Sequence, residues 1–263
     1  ITLTDLNAIN ATGNAANNIL IGNNNNNVLT GAAGNDTLTG NDGNDTLAGG
    51  VGNDTMIGGA GDDIYNVGSA GDVITELAGG GTDTVISTIT YSLVPSLNLE
   101  NLELAGATAS DGTGNAANNV LTGNSANNIL TGNGGNDTLF GGGGNDDLIG
   151  GVGADSLTGD AGADDFIYTA IGQSTVLATG RDTITSFVSG TDRIDLSAID
   201  ADAGVAGNQA FDFIGNAVFS AAGQVRYEGG VLQANVGGAN GDAADFRIDL
   251  TGAPVFVATD LVA

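Results

Sequence analysis

The sequence predicts an all-β fold in which two stacks of short repeated strands are followed by a β-rich C-terminal cap. Nine-residue units follow one another without a gap from Gly13 and again from Gly114, and the two arrays are offset by 101 residues. Each unit joins a turn-forming segment to three residues that alternate like a strand. Glycine is abundant (46 residues) and aromatic residues are scarce (5%), which favours a thin repetitive core.

The positions within each unit have separate physical roles. Positions 1–6 form a turn, where glycine adopts backbone dihedrals that a Cβ would forbid. Positions 7–9 form a short strand whose alternation sends only position 8 inward. That inward column is apolar in all twelve units: Leu20, Leu29, Leu38, Leu47, Met56, Tyr65, Leu121, Leu130, Leu139, Leu148, Leu157 and Phe166. An aromatic residue ends each column, which predicts two stacks that are each closed by a larger side chain.

The last four units of each array resemble GGxGxDxUx, the nonapeptide of RTX calcium-binding proteins. The resemblance implies a parallel β-roll (a β-solenoid) in which two units make one turn, so that every second loop stacks on the same edge. In that family each Ca²⁺ lies between stacked loops and takes both position-6 aspartates. Backbone carbonyls of positions 2 and 4 of one loop and positions 1 and 3 of the next complete the site. Such a set suits Ca²⁺, which prefers six to eight oxygen ligands.

Carried onto this sequence, the resemblance implies at least four Ca²⁺ ions. The two sets in the first array are Ala32, Gly34, Asp36, Gly49, Val51 with Asp54, and Asn41, Gly43, Asp45, Gly58, Ala60 with Asp63. The two sets in the second array are Asn133, Gly135, Asp137, Gly150, Val152 with Asp155, and Gly142, Gly144, Asp146, Gly159, Ala161 with Asp164.

Extending the two-unit spacing past the matched units adds further candidates. Asp54 leads to Asp72, and Asp164 leads to Asp182. Asp155 leads to Gln173, a neutral oxygen ligand. Asp63 leads to Gly81, with an aspartate, Asp83, two residues further along.

The first two units of each array carry asparagine at position 6, namely Asn18, Asn27, Asn119 and Asn128. These loops lack the carboxylate, so we expect little or no calcium binding there. Stacked amides that hydrogen-bond between turns are the favoured interpretation, because the units keep their nine-residue register. A prion-like character of the run Asn23–Asn27 is the alternative.

The sequence divides into array 1 (residues 1–66), a β-rich connector (67–113), array 2 (114–180) and a C-terminal domain (181–263). The connector contains the strand-like run Asp83–Tyr91. The segment DTITSFVSGTDRIDLS resembles the C-terminal domain of serralysin-type metalloproteases and related secreted lipases. The resemblance implies that the tail VFVATDLVA, with Asp260 before three apolar residues, is a type I secretion signal that engages an ABC exporter.

Two further stretches carry expectations. Residues 235–246 resemble a calcium loop that has lost some of its acids, so a solvated turn is predicted at Asp242 and Asp245, before a strand over Phe246–Leu250. Residues 1–4 align with residues 102–105 across the offset between the arrays. We therefore expect the chain to open within a repeating unit of a longer protein.

The charge distribution excludes several classes of function. The formal net charge is −27; residues 1–180 hold 20 acids and no base, and all four cations of the chain are arginines. Nucleic-acid binding is excluded because it depends on Lys and Arg at phosphates. The chain has no His, Cys or Lys, which excludes Ser–His–Asp, Cys–His and Schiff-base catalysis. No apolar run approaches the ~18 residues of a membrane span.

Catalysis by a pair of carboxylates is compatible with this composition. However, most regularly spaced acids belong to calcium turns, and Glu76, Glu100, Glu103 and Glu228 are interpreted as solvent-facing strand positions. No catalytic residue is therefore predicted, and a catalytic domain would lie upstream of this chain.

The predicted function is a calcium-binding region that folds on extracellular Ca²⁺ after type I secretion, as the folding and export module of a larger protein. Its predicted partners are calcium ions and the exporter, and its predicted location is extracellular or at a bacterial cell surface. Two alternatives stay open: a self-assembling array of the S-layer or adhesin type, and the C-terminal part of an RTX protease or lipase.

Overall fold

The computed structural model describes residues 1–2, 9–94, 96–202, 204–237 and 244–263. Contacts divide the chain into two compact units, residues 1–115 and 116–263. The predicted boundaries after residues 66, 113 and 180 stay a prediction. The described strands of the first unit are β1 (Ala11–Thr12), β2 (Ile19–Ile21), β3 (Val28–Ala33), β4 (Thr37–Asp42), β5 (Thr46–Val51), β6 (Thr55–Ala60), β7 (Ile64–Val67), β8 (Val73–Thr75), β9 (Thr84–Ser87), β10 (Tyr91–Ser92), β11 (Asn101–Leu104) and β12 (Gly112–Thr113).

The strands of the first unit alternate between two stacked parallel sheets. One sheet runs β1-β3-β5-β7-β9-β11 and the other β2-β4-β6-β8, with β10 paired to β12. Val28 pairs with Thr46, and Thr37 pairs with Thr55. The partners in both pairs are two nine-residue units apart, so two units make one turn of the stack, and the predicted parallel β-roll is confirmed.

The second unit continues the same pattern and then changes. Its described strands are β13 (Val120–Thr122), β14 (Ile129–Gly134), β15 (Thr138–Gly143), β16 (Asp147–Val152), β17 (Ser156–Ala161), β18 (Asp165–Ile167), β19 (Asp182–Thr185), β20 (Arg193–Asp195), β21 (Asp212–Phe213), β22 (Gln224–Glu228), β23 (Val231–Asn235), β24 (Phe246–Leu250) and β25 (Leu261–Val262). The parallel sheets are β13-β15-β17-β19 and β14-β16-β18-β20-β25. β24 joins β19 in parallel, while β22, β23 and β24 form an antiparallel meander.

The core of the roll is the inward column that the repeat predicts. Every position-8 residue from Leu20 to Phe166 has 0% of its surface exposed. Each fully buried Leu contributes about 1.5–3 kcal/mol relative to an exposed one. The core therefore consists of single stacked side chains, one from each unit.

The column continues past its aromatic residues, because the fully buried Val85 pairs with Tyr65 and the fully buried Ile194 pairs with Phe166, so the expectation that the aromatic residues close the two stacks was wrong. The C-terminal region adds an aromatic cluster. Phe256 lies with its ring centroid 5.7 Å from Phe187, 5.6 Å from Phe213 and 5.2 Å from Tyr227. The predicted strand Phe246–Leu250 is β24. The turn predicted at Asp242, in the loop before that strand, lies outside the described residues.

Helices are short in the part of the chain that the structure describes: 3₁₀ turns over Ile171–Gln173, Ala178–Gly180 and Ala258–Asp260. None of them has the length or apolar character needed to span a membrane.

Candidate metal centre

The position-6 aspartates form two hydrogen-bonded ladders in each array, because every second loop stacks on the same edge. Asp36 N donates to Asp54 Oδ1 at 2.7 Å, and Asp45 N donates to Asp63 Oδ1 at 2.7 Å. The corresponding distances in the second array are 2.8 Å from Asp137 N to Asp155 Oδ1 and 2.9 Å from Asp146 N to Asp164 Oδ1. The four pairs that the two-unit spacing predicts are thus adjacent in the structure. We call this set of stacked residues the aspartate ladder.

The second carboxylate oxygen of each ladder aspartate lacks a hydrogen-bond partner. These buried oxygens are the Oδ2 atoms of Asp36, Asp45, Asp54, Asp63, Asp137, Asp146, Asp155 and Asp164, and Asp182 Oδ2 shares the property. A buried charged group without a partner is costly, because it has lost its hydration without replacement. A row of such oxygens therefore fits the binding of cations.

Backbone carbonyls converge on the same points. A Cβ built on Gly31 would collide with both Asp36 Oδ2 and the carbonyl oxygen of Gly49. The same collision recurs in the other three predicted sites: at Gly40 with Asp45 Oδ2 and the Gly58 oxygen, at Gly132 with Asp137 Oδ2 and the Gly150 oxygen, and at Gly141 with Asp146 Oδ2 and the Gly159 oxygen. Position 1 must therefore be glycine, because a side chain there would fill the space between two oxygens.

The other predicted carbonyl ligands also lie between stacked loops. The position-3 carbonyls of Val51, Ala60, Val152 and Ala161 each accept a hydrogen bond from the loop before, donated by the backbone N–H of Gly34, Gly43, Gly135 and Gly144. The carbonyl oxygens at positions 2 and 4 lie close to glycines of the next loop: the Ala32 oxygen lies at Gly50 and the Gly34 oxygen at Gly52. The same holds for the carbonyl oxygens of Asn41, Gly43, Asn133, Gly135 and Gly144. Gly142 is paired with Asp160 in the next turn, so its carbonyl meets no glycine there.

Burial raises the pKa of seven ladder carboxyls. The pKa rises from 3.8 to about 6 for Asp45, Asp63 and Asp146, and to about 7 for Asp137. Desolvation is the main cause in each case, and a hydrogen bond from the backbone opposes it. The pKa values of Asp54, Asp155 and Asp164 are raised in the same way. Without a cation the raised pKa makes ionisation of these carboxyls more costly, and a bound cation would favour the carboxylate.

Comparisons with known proteins agree with this geometry. The family described as RTX calcium-binding nonapeptide repeat matches in four copies, over residues 12–47, 39–74, 113–148 and 140–170. This chain contains RTX calcium-binding nonapeptide repeats. The matched residues are those that contain the aspartate ladder.

Two solved structures are similar to this RTX chain. The AlgE6R3 subunit of the mannuronan C5-epimerase from Azotobacter vinelandii shares 28% identity over 60% of this chain and 80% of its own, with a TM-score of 0.39. The extracellular lipase LipA from Serratia marcescens shares 21% identity over 93% of this chain, with a TM-score of 0.37. This chain spans 39% of the length of that lipase. No curated protein matches the sequence.

The ends of the RTX ladder differ in part from the two-unit spacing. Asp54 N donates to Asp72 Oδ1 at 3.0 Å, as the spacing predicts. In the second array, however, Asp182 Oδ1 accepts from Asp155 N at 2.9 Å, and Asp192 Oδ1 accepts from Asp164 N at 3.2 Å. The expected pairs of Asp164 with Asp182 and of Asp155 with Gln173 were wrong.

The physical reason is an insertion. Residues 168–181 contain two 3₁₀ turns that leave the stack. The next strand, β19, still pairs with β17, but Ser156 lies opposite Thr183. The residue that pairs with Ser156 is therefore one nine-residue unit later in the chain than the repeat predicts. Gln173 instead accepts hydrogen bonds from Thr169 and Ala170 within that insertion.

Asp182 is a deeply buried member of the second ladder. None of its surface is exposed, and desolvation together with the charge of Asp155 raises its pKa from 3.8 to about 8. Its burial follows from the pairing of β19 with β17, which places Asp182 beside Asp155.

The asparagines at position 6 hydrogen-bond differently from the predicted amide stack. Asn18 Oδ1 accepts from Asn14 N at 2.7 Å, and Asn27 Oδ1 accepts from Asn23 N at 2.8 Å, both within one loop. Contact with the next turn is made by the backbone, as Asn27 N donates to Asp45 Oδ1 at 2.7 Å, and Asn27 Nδ2 donates to the Ile9 carbonyl oxygen of the preceding turn at 2.7 Å. These amides therefore bond within their own loops and, at Asn27, to a backbone carbonyl of the preceding turn, rather than to one another's side chains in a stack.

A second column, at position 5, was missed by sequence reasoning. Asn35 N donates to Asn17 Oδ1 at 2.9 Å, and Asn53 N donates to Asn35 Oδ1 at 3.1 Å. These bonds run opposite to the aspartate ladder, from each loop back to the previous one. The signal was present in the sequence, because asparagine recurs at position 5 of most units.

Glu76 contradicts its interpretation as a solvent-facing residue. It is 8% exposed and lies with Asp63 and Asp83 in a group whose ligand atoms are within 4.8 Å of one another. Desolvation and the charge of Asp83 raise its pKa from 4.5 to about 7. Glu100 is also not simply solvent-facing, because it is half-buried and its Oε2 accepts a hydrogen bond from Asp83 N at 2.8 Å. Glu228, in contrast, is 60% exposed beside Arg226, and Glu103 is exposed, as predicted.

Proposed function

We propose that this RTX chain is a calcium-driven folding module of a larger secreted protein, unfolded where calcium is scarce and folded where it is abundant. The observation that carries the proposal is the row of buried ladder oxygens without hydrogen-bond partners. The arrays contain no basic side chain that could neutralise these carboxylates, because all four arginines of the chain follow residue 180. A cation from solution supplies the missing positive charge.

The proposed sites follow the ladder. Each of four Ca²⁺ ions binds two ladder aspartates and the carbonyls of the two loops between which it lies. The pairs are Asp36 with Asp54, Asp45 with Asp63, Asp137 with Asp155, and Asp146 with Asp164. Asp72 extends the ladder of Asp54, and Asp182 extends the ladder of Asp155. When bound, the ion supplies charge neutralisation and crosslinks adjacent turns.

The energy available from binding is sufficient for a switch. A ligand that binds only the folded state stabilises it by about 1.4 kcal/mol per site at tenfold saturation. Four sites then contribute about 5–6 kcal/mol, which is comparable to the total stability of many domains. The glycine-rich loops oppose folding, because glycine loses the most conformational entropy on ordering.

The C-terminal tail supports export before folding. Leu261 and Val262 form β25, which pairs with β20. Asp260 is fully buried and accepts hydrogen bonds from Gly190 N at 2.8 Å and Ser189 Oγ at 2.7 Å. A tail held this way is accessible to an ABC exporter only in the unfolded chain, which low cytosolic calcium would maintain.

Circular dichroism and ion counting test the calcium switch. The full chain should lack strand signal in calcium-free buffer at neutral pH and gain it cooperatively on addition of calcium. Asp54→Asn should weaken this response, whereas Asp62→Asn should not, because Asp62 is an exposed position-5 residue where other units carry asparagine. A strand signal that is already complete in excess chelator at neutral pH would overturn the proposal.

Export needs its own test. In bacterial cells that carry a type I exporter, the full chain should reach the medium, and a chain lacking residues 258–263 should remain inside. Equal export of both chains would refute the proposed role of the tail.

The alternative of a self-assembling array is favoured by the constant offset between the two arrays, which is typical of tandem modules. Sedimentation at millimolar calcium separates the two functions. Ordered multimers would support the array, and a single monomeric species would support the folding module.

A further inference from the structure

The ladder that contains Asp45 and Asp63 reaches, beyond the last repeat of the first array, a site whose composition differs from that of the repeats. Strand β6 pairs with β8, with Ile57 opposite Thr75, so the position-1 residue Gly58 is followed one turn later by Glu76. In the preceding turn, Gly40 is likewise followed one turn later by Gly58, and the Gly58 carbonyl oxygen and Asp45 Oδ2 both lie next to Gly40. Glu76 therefore occupies a position that belongs to glycine in the repeats.

The Glu76 side chain takes the place of that carbonyl. A Cβ built on Gly58 would collide with Asp63 Oδ2, Glu76 Oε1 and the hydroxyl oxygen of Tyr65. Three side-chain oxygens thus lie next to Gly58. At the equivalent glycines of the repeat sites, one carboxylate oxygen and one carbonyl oxygen meet instead. The Tyr65 hydroxyl donates a hydrogen bond to Glu76 Oε1.

Asp83 completes the group from the other direction. Strand β7 pairs with β9, with Ile64 opposite Thr84, so this turn is two residues longer than a turn of the repeats. The longer turn still places Asp83 on the ladder, because Asp63 N donates to Asp83 Oδ1 at 2.8 Å. The ligand atoms of Asp63, Glu76 and Asp83 lie within 4.8 Å of one another, and Asp63 and Asp83 are each 1% exposed.

An independent observation points to a ligand at this group. Asp63 Oδ2, one of the three converging oxygens, is buried and has no hydrogen-bond partner. No lysine, arginine or histidine occurs in residues 1–180, so no basic side chain of the first unit can supply a counter-charge. Three buried carboxylates without a counter-ion are strongly unfavourable.

We infer that Asp63, Glu76 and Asp83 form an additional divalent-cation site beyond the last repeat of the first array, with the Tyr65 hydroxyl beside it. The all-oxygen donor set selects a hard cation such as Ca²⁺. The site carries three carboxylates where a repeat site carries two. Because affinity for calcium increases with ligand charge, this site binds its ion more tightly than the repeat sites do.

The inference shares its cation with the proposed function, so the test must separate the two. Glu76→Gln keeps the shape of the side chain and removes one charge. The bound calcium of the full chain, counted by equilibrium dialysis at neutral pH, should fall by one ion, and the tightest step of the titration should weaken by about tenfold or more. Glu103→Gln makes the same chemical change at an exposed strand position and should change neither quantity.

Terbium luminescence supplies a second readout. The chain has no tryptophan, so tyrosine is the sensitiser, and Tyr65 lies at the site. Tyr65→Phe should reduce tyrosine-sensitised Tb³⁺ emission at the first equivalent added while retaining the fold, because Phe166 fills the same position of the second array.

The outcomes distinguish the two proposals. If Glu76→Gln retains the ion count and the affinity of the parent chain, Glu76 is a protonated structural acid and the inference is overturned, while the repeat sites are unaffected. If the parent chain binds no calcium, both the proposed function and the inference fail. If Glu76→Gln does not fold in calcium, the Tyr65→Phe variant decides. Unchanged Tb³⁺ emission of Tyr65→Phe at the first equivalent overturns the inference, and reduced emission supports it.

Discussion

Replacing one ladder aspartate by asparagine should have opposite effects on stability with and without calcium. Asp137 is the most informative position, because it is 2% exposed and its Oδ2 has no hydrogen-bond partner. Asparagine is native at the equivalent position of the two preceding units, at Asn119 and Asn128. Asp137→Asn is therefore compatible with the fold and imitates a permanently protonated aspartate.

The magnitude follows from the pKa of Asp137. Burial raises it from 3.8 to about 7, so the folded state binds the proton more tightly than the unfolded state. The resulting stability is fully present below pH 3.8 and is lost as the pH rises through about 7. At about 1.4 kcal/mol per pH unit the loss is at most about 4 kcal/mol. Asparagine avoids this loss, so in calcium-free buffer the variant should be more stable than the parent by up to that amount at about pH 7.5.

Calcium reverses the sign. The proposed ion needs the Asp137 carboxylate, so the variant loses a ligand and should require more calcium to fold. The assay is far-UV circular dichroism from about pH 4 to about pH 8, in calcium-free and in calcium-saturated buffer, with urea unfolding wherever the chain is folded. Asp160→Asn, at an exposed residue, is the matched control. The reasoning is refuted if Asp137→Asn leaves the calcium-free pH profile unchanged, or if it lowers stability in both buffers alike.

Two further predictions concern the stack itself. Gly40→Ala should destabilise the calcium-saturated chain by about 1–3 kcal/mol and weaken calcium binding, because the added Cβ would collide with Asp45 Oδ2. The control Gly172→Ala should leave stability unchanged, because a Cβ there meets nothing within 4 Å. Equal urea midpoints for the two variants would contradict this. Leu38→Ala empties a fully buried position of the inward column and should cost about 2–5 kcal/mol, while Leu77→Ala, at a side chain that is 60% exposed, should cost little. Thermal unfolding in saturating calcium measures the difference, and similar losses for both variants would show that the column is not the core.

The regular part of the site was predictable because the repeat has a constant length. An unbroken nine-residue period places Asp36 and Asp54 one turn apart whatever the details of the loop, and the structure joins them by a hydrogen bond. The same regularity predicts Asp72. Where the period breaks, the prediction fails, as it did for Gln173 and for the partner of Asp182.

Glu76 shows a different limit. Its position two units after Gly58 was available in the sequence, but its neighbours on the chain gave no sign of burial. Its role depends on the longer turn that brings Asp83 beside Asp63. Only the packed structure shows that the three carboxylates meet.

The sequence alone determined the all-β roll, its inward column and the pairing of aspartates within each array. These features depend on local rules, namely strand alternation, glycine turns and a fixed period, which repeat identically in every unit. The tertiary structure alone decided what lies beyond the repeats. It places Asp182 beside Asp155 after an insertion, buries Glu76, and pairs the last strand with β20 next to the buried Asp260. Those outcomes depend on contacts between residues whose separation follows no period, because the energy of packing and desolvation selects them only when the chain is folded.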